Sequence, residues 1–451
     1  MNAKENKMGT MPVNKLLIGM ALPMMASMLV QALYNIVDSM YVSKISEDAF
    51  TAVSLAFPIQ QLMIALASGI GVGVNAVLSR ALGEKKFDRA NKAAENGIFL
   101  HLMSFILFFM IGLFVVKPFY LSQTTDSEIL KAGQDYLIVI CCGSIGLFLQ
   151  MISERLLQAT GRTMYSMVVQ GIGAIINIIL DPILIFGLCG FPAMGVTGAA
   201  LATIIGQCIG AVLGLFINIT KNHDITLNIR GLKPDFEIIR VIFSVGIPSI
   251  IMQAVGSVMN YGMNLILISF SSTVTAVFGA YYKLQSFIFM PVFGLNNAMI
   301  PIIAFNYGAG RKDRVIQTIK SSVLAAVSIM LAGLLVFQLF PAPLLAIFNA
   351  SEHMLEIGVV ALRLISLSFV FAGYCIVMGS VFQALGNGVY SMVVSIVRQL
   401  VVLLPVAFLL ALLGNVNLVW LSFPIAELFS LGLSTFYLLR INKKIISKIG
   451  E

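Results

Sequence analysis

Charge is scarce in this sequence. Asp, Glu, Lys and Arg make up 11% of its 451 residues, against about 25% in a soluble globular domain. There is one Trp, three His and five Cys. The histidines, His101, His223 and His353, lie far apart and lack metal-ligand spacing. The cysteines, Cys141, Cys142, Cys189, Cys208 and Cys375, form no C-x-x-C pair and mostly sit in apolar runs. They read as small buried hydrophobes and not as a disulfide framework or a zinc site. The sequence has no H-E-x-x-H, no G-x-S-x-G and no G-x-x-x-x-G-K-[ST]. Those absences exclude a zinc protease, a serine hydrolase and a P-loop ATPase. No cofactor is expected, and ATP is not the expected energy source.

What the sequence has instead is apolar surface. Hydrophobic residues are 59% of the chain and the mean hydropathy is +0.97. A water-soluble or disordered chain is excluded, and a polytopic membrane protein remains. A spanning helix needs roughly 20 apolar residues. Twelve candidate spans follow, at 16–41, 50–80, 94–116, 135–157, 165–188, 197–219, 241–270, 275–306, 316–340, 357–382, 389–412 and 418–440. The runs are too long for the roughly ten-residue alternating strands of a membrane barrel. The expected class is therefore an all-α membrane protein. The N-terminal stretch is polar, and no small-residue cleavage site closes a short apolar region after it, so no signal peptide is expected.

The net charge of +8 finds its explanation in orientation. With the N-terminus placed inside, 22 of the 28 Lys and Arg fall on the inner side of the spans, and only Lys44, Lys117 and Lys131 fall outside. That asymmetry obeys the positive-inside rule. Both termini are expected in the cytoplasm, and the basic excess is not a nucleic-acid footprint.

The chain also repeats itself. QATGRTMYSMVV (158–169) and QALGNGVYSMVV (383–394) agree at eight of twelve positions, at a shift of 225. The same shift carries Pro23 onto Pro248 and the loop GEKKFDR (83–89) onto GAGRKDR (308–314). Each half holds six spans, so both enter the membrane in one orientation. This is the parallel-repeat arrangement, with a pseudo-two-fold axis along the membrane normal. Lobes of 1–225 and 226–451 are expected, joined by the polar loop from Lys221 to Arg240. Two similar lobes suit alternating access.

A charge inside a span costs about 2.5–3.5 kcal/mol on insertion scales, so each one needs a reason. Three acids qualify, Asp38, Asp181 and Glu427, with three bases, Lys283, Arg363 and Arg398. Asp38 and Asp181 stand at similar depth near the outer ends of spans 1 and 5. Asn177 precedes Asp181 by one helical turn, and Asn35 precedes Asp38 by three residues, each on the face of its acid. Pro182 frees backbone carbonyls nearby. These groups make an oxygen-rich set able to hold a proton, or a Na⁺ at Asp38, Asp181 and Asn177. Two carboxylates buried together resist simultaneous ionisation. A protonated pair is neutral and need not hold a cation, whereas a deprotonated pair attracts one. Tyr34 shares a face with Asp38 and is the aromatic substrate candidate. Gln253 and Lys283 are the polar substrate candidates of the second half. Glu427 and Arg398 fall near mid-span on consecutive helices, where a buried ion pair is the plain reading. Lys283 and Arg363 sit nearer the outer ends and either snorkel or select anionic groups. The 24 Met, 31 Phe and 12 Tyr suit adaptable, cation-attracting surfaces and serve equally as lipid-facing filler.

Several of these segments carry a family resemblance. ALPMMASMLVQALYNIVDSMYVS (21–43), INIILDPILIFG (176–187), QATGRT (158–163), GEKKFDRA (83–90) and the Gly-x-Gly-Arg-x-Asp-Arg loop (308–314) resemble the multidrug and toxic compound extrusion (MATE) family, in its bacterial DinF/MepA-like branch. The resemblance covers essentially the whole chain. It implies twelve transmembrane helices in two six-helix lobes, and a secondary exporter of organic cations and amphiphilic drugs driven by an inward H⁺ or Na⁺ gradient. It further implies that the first-lobe cation site lies at Asp38 and Asp181, and that span 1 bends at Pro23. The implied setting is the plasma membrane, and the implied partners are small-molecule drugs and membrane lipids. A monomer is expected, with no nucleic acid. Sodium-driven NorM-like members carry an acid on span 7, where this chain has Gln253, and that departure favours H⁺ over Na⁺. The rival reading is a lipid-linked oligosaccharide flippase of the same wider superfamily, which would line its cavity with several bases.

Overall fold

The computed structural model describes residues 6–228, 233–348 and 350–450. Lys4 and Arg230, two of the bases counted for orientation, lie outside the described residues. Among the described residues the regular structure is helical throughout, with no strand. Ten helices are long and apolar enough to cross a membrane, and two bent pairs raise the number to twelve. We label the spans α1 (Val13–Ser43), α2 (Glu47–Gly83), α3 (Phe87–Phe114), α4 (Ser127–Cys142 with Ile145–Ala159), α5 (Thr163–Phe186) and α6 (Gly195–Lys221). In the second half they are α7 (Phe236–Ile268), α8 (Ser272–Gly308), α9 (Lys312–Leu339), α10 (Glu352–Ser366 with Phe369–Ala384), α11 (Gly388–Ala411) and α12 (Val416–Lys448).

The internal repeat governs local geometry as well as sequence. Ser46 caps α2 by accepting the Ala49 N–H at 3.0 Å, and Ser271, 225 residues on, caps α8 by accepting the Val274 N–H at 3.2 Å. Such caps satisfy an N–H left over at a helix start. The bends correspond too, at 45° in α4 and 48° in α10. Gly161 and Gly386 take left-handed φ of 80° and 78° at matching turns. Gly310 takes φ 68°, and its counterpart is Lys85 at φ 58°. A side chain in that region costs about 1–2 kcal/mol. Lys85→Gly is therefore expected to raise the stability of the purified protein by up to about 1 kcal/mol, read as a higher melting temperature in detergent.

Two compact units emerge. Among the described residues the first comprises Asn6 and residues 26–246, the second residues 7–25 and 247–450. The division between these units falls inside a helix, at 246–247. Residues 236–246 of α7 pack with the first unit because Gly73 admits the backbone of Ile242 against α2, in space a Cβ would fill. Residues 13–25 of α1 pack with the second unit, where Gly294 of α8 leaves room for Met25; a Cβ there would stand 2.6 Å from the Met25 Cα. Pro23 is buried within α1 and Pro248 lies within α7. Both repeat-related prolines thus stand beside the point where their helix changes unit.

In the first unit the loop before α7 runs along the start of α3. The Thr226 N–H donates to Asn91 at 2.8 Å, the Asp235 N–H donates to Asn96 at 2.9 Å, and Lys92 pairs with Asp235 at 3.2 Å. In the second unit a short helix, Lys7–Thr10, is held by the repeated basic loop. Arg314 donates to the carbonyls of Met8 (2.9 Å) and Met11 (2.7 Å), Asn306 donates to Met8 (3.1 Å), and Arg311 donates to Gly9.

One residue counted as a loop charge belongs to the interior. Arg155 is only 8% exposed. It packs over Gly71, where a Cβ would meet its Cγ at 2.8 Å, and donates to Gln158 at 3.0 Å and Ser68 at 3.4 Å. Its neighbour Glu154 accepts from Gln150 at 2.9 Å. Helix α4 continues to Ala159, beyond the point where the apolar run stops. Glu154 and Arg155 therefore belong to the helix and not to a loop.

Candidate functional site

The first unit gathers the polar residues of α1, α5 and α6. Asp181 is fully buried and Asn177 is 2% exposed, one turn apart on α5. The Asn177 amide donates to the hydroxyl of Thr203 on α6 at 3.2 Å and makes a long 3.5 Å contact with the Asp181 carboxylate. Tyr34 of α1 pairs with the same Thr203 hydroxyl, within electrostatic reach of both Asp38 and Asp181. The two acids also interact with each other. Tyr136 of α4 extends the cluster toward Asp38, and its hydroxyl accepts a hydrogen bond from Gln60 of α2 at 3.0 Å.

Small residues make this convergence possible. Gly206 of α6 lies against the Gly173 carbonyl of α5; a Cβ on Gly206 would be 2.6 Å from that oxygen and 3.3 Å from the Asn177 Cβ. Close backbone approach of this kind is how helices associate in lipid, where burying apolar surface gives no advantage. Within α5, Pro182 has no N–H to offer the Ile178 carbonyl one turn back, yet the helix runs on to Phe186.

The cluster is deficient in donors. Asp38 Oδ1, Asp181 Oδ2 and Asn177 Oδ1 are all buried without a hydrogen-bond partner. An unmatched buried acceptor costs about 1–3 kcal/mol. Three acceptors converging without donors form an arrangement that a proton or a small cation would complete.

Not every candidate joins the cluster. Asn35 is exposed, and among the described residues no hydrogen bond links its side chain to either acid; its carbonyl accepts from Ser39 at 2.8 Å. In the second unit Gln253 and Lys283 are exposed, and the Lys283 ammonium lies 6.0 Å from the centre of the Phe348 ring. Arg363 is exposed and donates to the Gln338 carbonyl at 3.3 Å. Arg398 and Glu427 form the buried ion pair, at 2.6 Å. Thr203, Tyr136 and Gln60 were not singled out by sequence. A lone Thr or Tyr in an apolar span carries no insertion penalty large enough to mark it.

The comparisons with known proteins agree with this architecture. The MatE family model matches residues 23–183 and again 248–430, the second match beginning 225 residues after the first. The FAD transporter of Shewanella oneidensis is 26% identical over 439 residues, covering 95% of this chain and 94% of that protein. The multidrug export protein MepA of Staphylococcus aureus is 27% identical over 419 residues, covering 92% of this chain and 91% of that one. A solved structure, described as the outward-facing conformation of a multidrug resistance MATE family transporter of the MOP superfamily, has a TM-score of 0.91 at 24% identity, over 99% of this chain and 100% of that chain. One family model placed on each half of a chain with twelve membrane-spanning elements establishes that the protein belongs to the MatE family of membrane transporters.

Proposed function

We propose that this protein is a cation-coupled exporter of organic cations and amphiphilic drugs, working by alternating access in the plasma membrane with both termini in the cytoplasm. The observation that carries the reading is the donor-poor cluster of Asp38, Asp181 and Asn177. H⁺ is the favoured coupling ion over Na⁺. A proton neutralises one acid and turns its oxygen into a donor for the neighbouring acceptors, whereas a Na⁺ needs more oxygen ligands than these three side chains supply. Binding inward-moving protons at the acids then excludes a cationic drug, and losing them readmits it. Because a ligand shifts a conformational equilibrium only by its differential affinity for the two states, the cluster must change its environment as the protein alternates.

The reading is supported by relatives named for multidrug export. A relative named as an FAD transporter widens the range of substrates to be tested. The deciding experiment is efflux of a fluorescent organic cation from proteoliposomes under an imposed ΔpH, an imposed ΔNa⁺ or neither. Efflux driven by ΔpH alone supports proton coupling. Efflux driven only by ΔNa⁺ reverses the choice of ion, and efflux indifferent to both refutes coupled export. Thr203 adds a finer test. Thr203→Val keeps the shape but removes the hydroxyl shared by Asn177 and Tyr34, and an unpaired buried amide costs about 1–3 kcal/mol. ΔpH-driven efflux is expected to fall roughly five- to tenfold, further than the accompanying drop in melting temperature explains.

A further inference from the structure

The second unit contains a polar centre that proton coupling leaves unused. Arg398 of α11 donates from Nη1 to Glu427 Oε1 of α12 at 2.6 Å. Tyr282 of α8 and Cys375 of α10 also interact with the guanidinium. Side chains from four helices therefore contribute to its surroundings.

The two partners differ in what they leave open. The Glu427 side chain is 9% exposed, and its Oε2 is buried with no hydrogen-bond partner. The Arg398 side chain is 26% exposed. Arginine carries five N–H donors in a planar fork, and among the described residues only the bond to Glu427 engages them. Ser430 and Ser434 follow Glu427 by three and seven residues on the same helix face. They are 1% and 0% exposed, and both hydroxyls lack a partner beyond the weakly bonding Cys375 thiol. The backbone is unusual at the same place. Residues Val397–Leu403 form a π-helical segment, with the Leu404 N–H bonded five residues back to the Gln399 carbonyl. Pro405 follows and can offer no N–H. Wide π turns of this kind recur at functional sites.

We propose that Arg398, with Glu427 and Ser430, is a recognition site in the second unit for an oxyanion, a carboxylate or phosphate ester, borne by an amphiphilic substrate. The proposal rests on the reading of the protein as an exporter of amphiphiles. The oxyanion takes the open edge of the guanidinium fork, whose geometry matches carboxylate and phosphate. Glu427 competes for the same group, and the Ser430 hydroxyl supplies a neutral donor to Glu427 when Arg398 turns to the ligand.

The test uses full-length protein in proteoliposomes and three probes built on one fluorescent ring skeleton, bearing an amine, a carboxylate or a phosphate ester. Native protein is expected to export the amine and at least one oxyanion probe, and the two oxyanion arms tell the carboxylate and phosphate sources apart. Arg398→Gln is expected to lower export of the oxyanion probe roughly tenfold or more and to change amine export less than twofold. Glu427→Gln removes the competing charge while still accepting from Arg398, and the KM for the oxyanion probe is expected to fall several-fold. Arg398→Gln alone leaves a buried carboxylate uncompensated. The double variant Arg398→Gln/Glu427→Gln is neutral, and it is expected to fold and show the same selective loss. Native export of the amine but of neither oxyanion probe overturns this proposal and leaves the exporter reading intact. Equal loss of all probes in a folded double variant also overturns it. Export of no probe by native protein defeats the exporter reading, and this site with it.

Discussion

Asp181→Asn is expected to abolish ion-driven efflux, reducing it in proteoliposomes to the rate seen with no ion gradient imposed. The residue is fully buried, one of its oxygens has no partner, and it interacts with Asp38. Asparagine has nearly the same shape but binds no proton in the range a cell spans. A gradient acts on the conformational equilibrium only through a group that takes up the ion in one state and releases it in the other. Without that group the drug can still bind and cross down its own gradient, but ΔpH no longer drives it. The fold is not at risk, because an amide is cheaper to bury than a carboxylate without partners. The melting temperature in detergent is therefore expected to hold or rise. Normal efflux by the variant under both ΔpH and ΔNa⁺ would sink the proposed coupling site.

Gly206→Leu is expected to cost both stability and transport. The Cβ it introduces would stand 2.6 Å from the Gly173 carbonyl oxygen and 3.3 Å from the Asn177 Cβ. The first of these contacts is with backbone, which cannot swing aside, so α5 and α6 must separate. Overpacking of this kind costs about 1–3 kcal/mol or more, read as a lower melting temperature in detergent. Separating the helices also carries Asn177 away from Thr203, so efflux is expected to fall further than the loss of folded protein explains. Gly206→Ala should show the same effects, smaller. Gly171 of α5 is the control, since a Cβ there meets nothing within 4 Å. Gly171→Ala is expected to leave melting and efflux near native values. Equal tolerance at both positions would mean that close approach of α5 and α6 does not position the site.

Much of the architecture was legible because a membrane restricts the options. Backbone groups in lipid must be satisfied within the segment, so long apolar runs in this chain read as helices. The repeat was visible in residues such as those at 158–169 and 383–394, and it carried structural detail with it. The caps at Ser46 and Ser271 and the left-handed positions at Lys85 and Gly310 follow the shift of 225. Asp38 and Asp181 stood out because a charge in a span is costly enough to demand a cause. Glu154 and Arg155 do not stand out in the sequence because they sit where the apolar run fades, although the helix continues to Ala159. Thr203 and Ser430 do not stand out either, because a hydroxyl can bond its own helix backbone and needs no partner elsewhere.

By itself the sequence determined the number of spans, the duplicated plan, the acids that need an explanation and the pairing of Arg398 with Glu427 as the plain reading. Only the tertiary structure decided that Tyr34 and Asn177 share the Thr203 hydroxyl, that Asn35 faces away, and that α1 and α7 change unit beside Pro23 and Pro248. The physical reason is rotational. Helical periodicity fixes which side chains share a face of one helix, but not the direction in which that face points. In lipid that direction is set by close backbone contacts such as Gly206 on Gly173 and Gly73 on Ile242, and these appear only once the helices are packed.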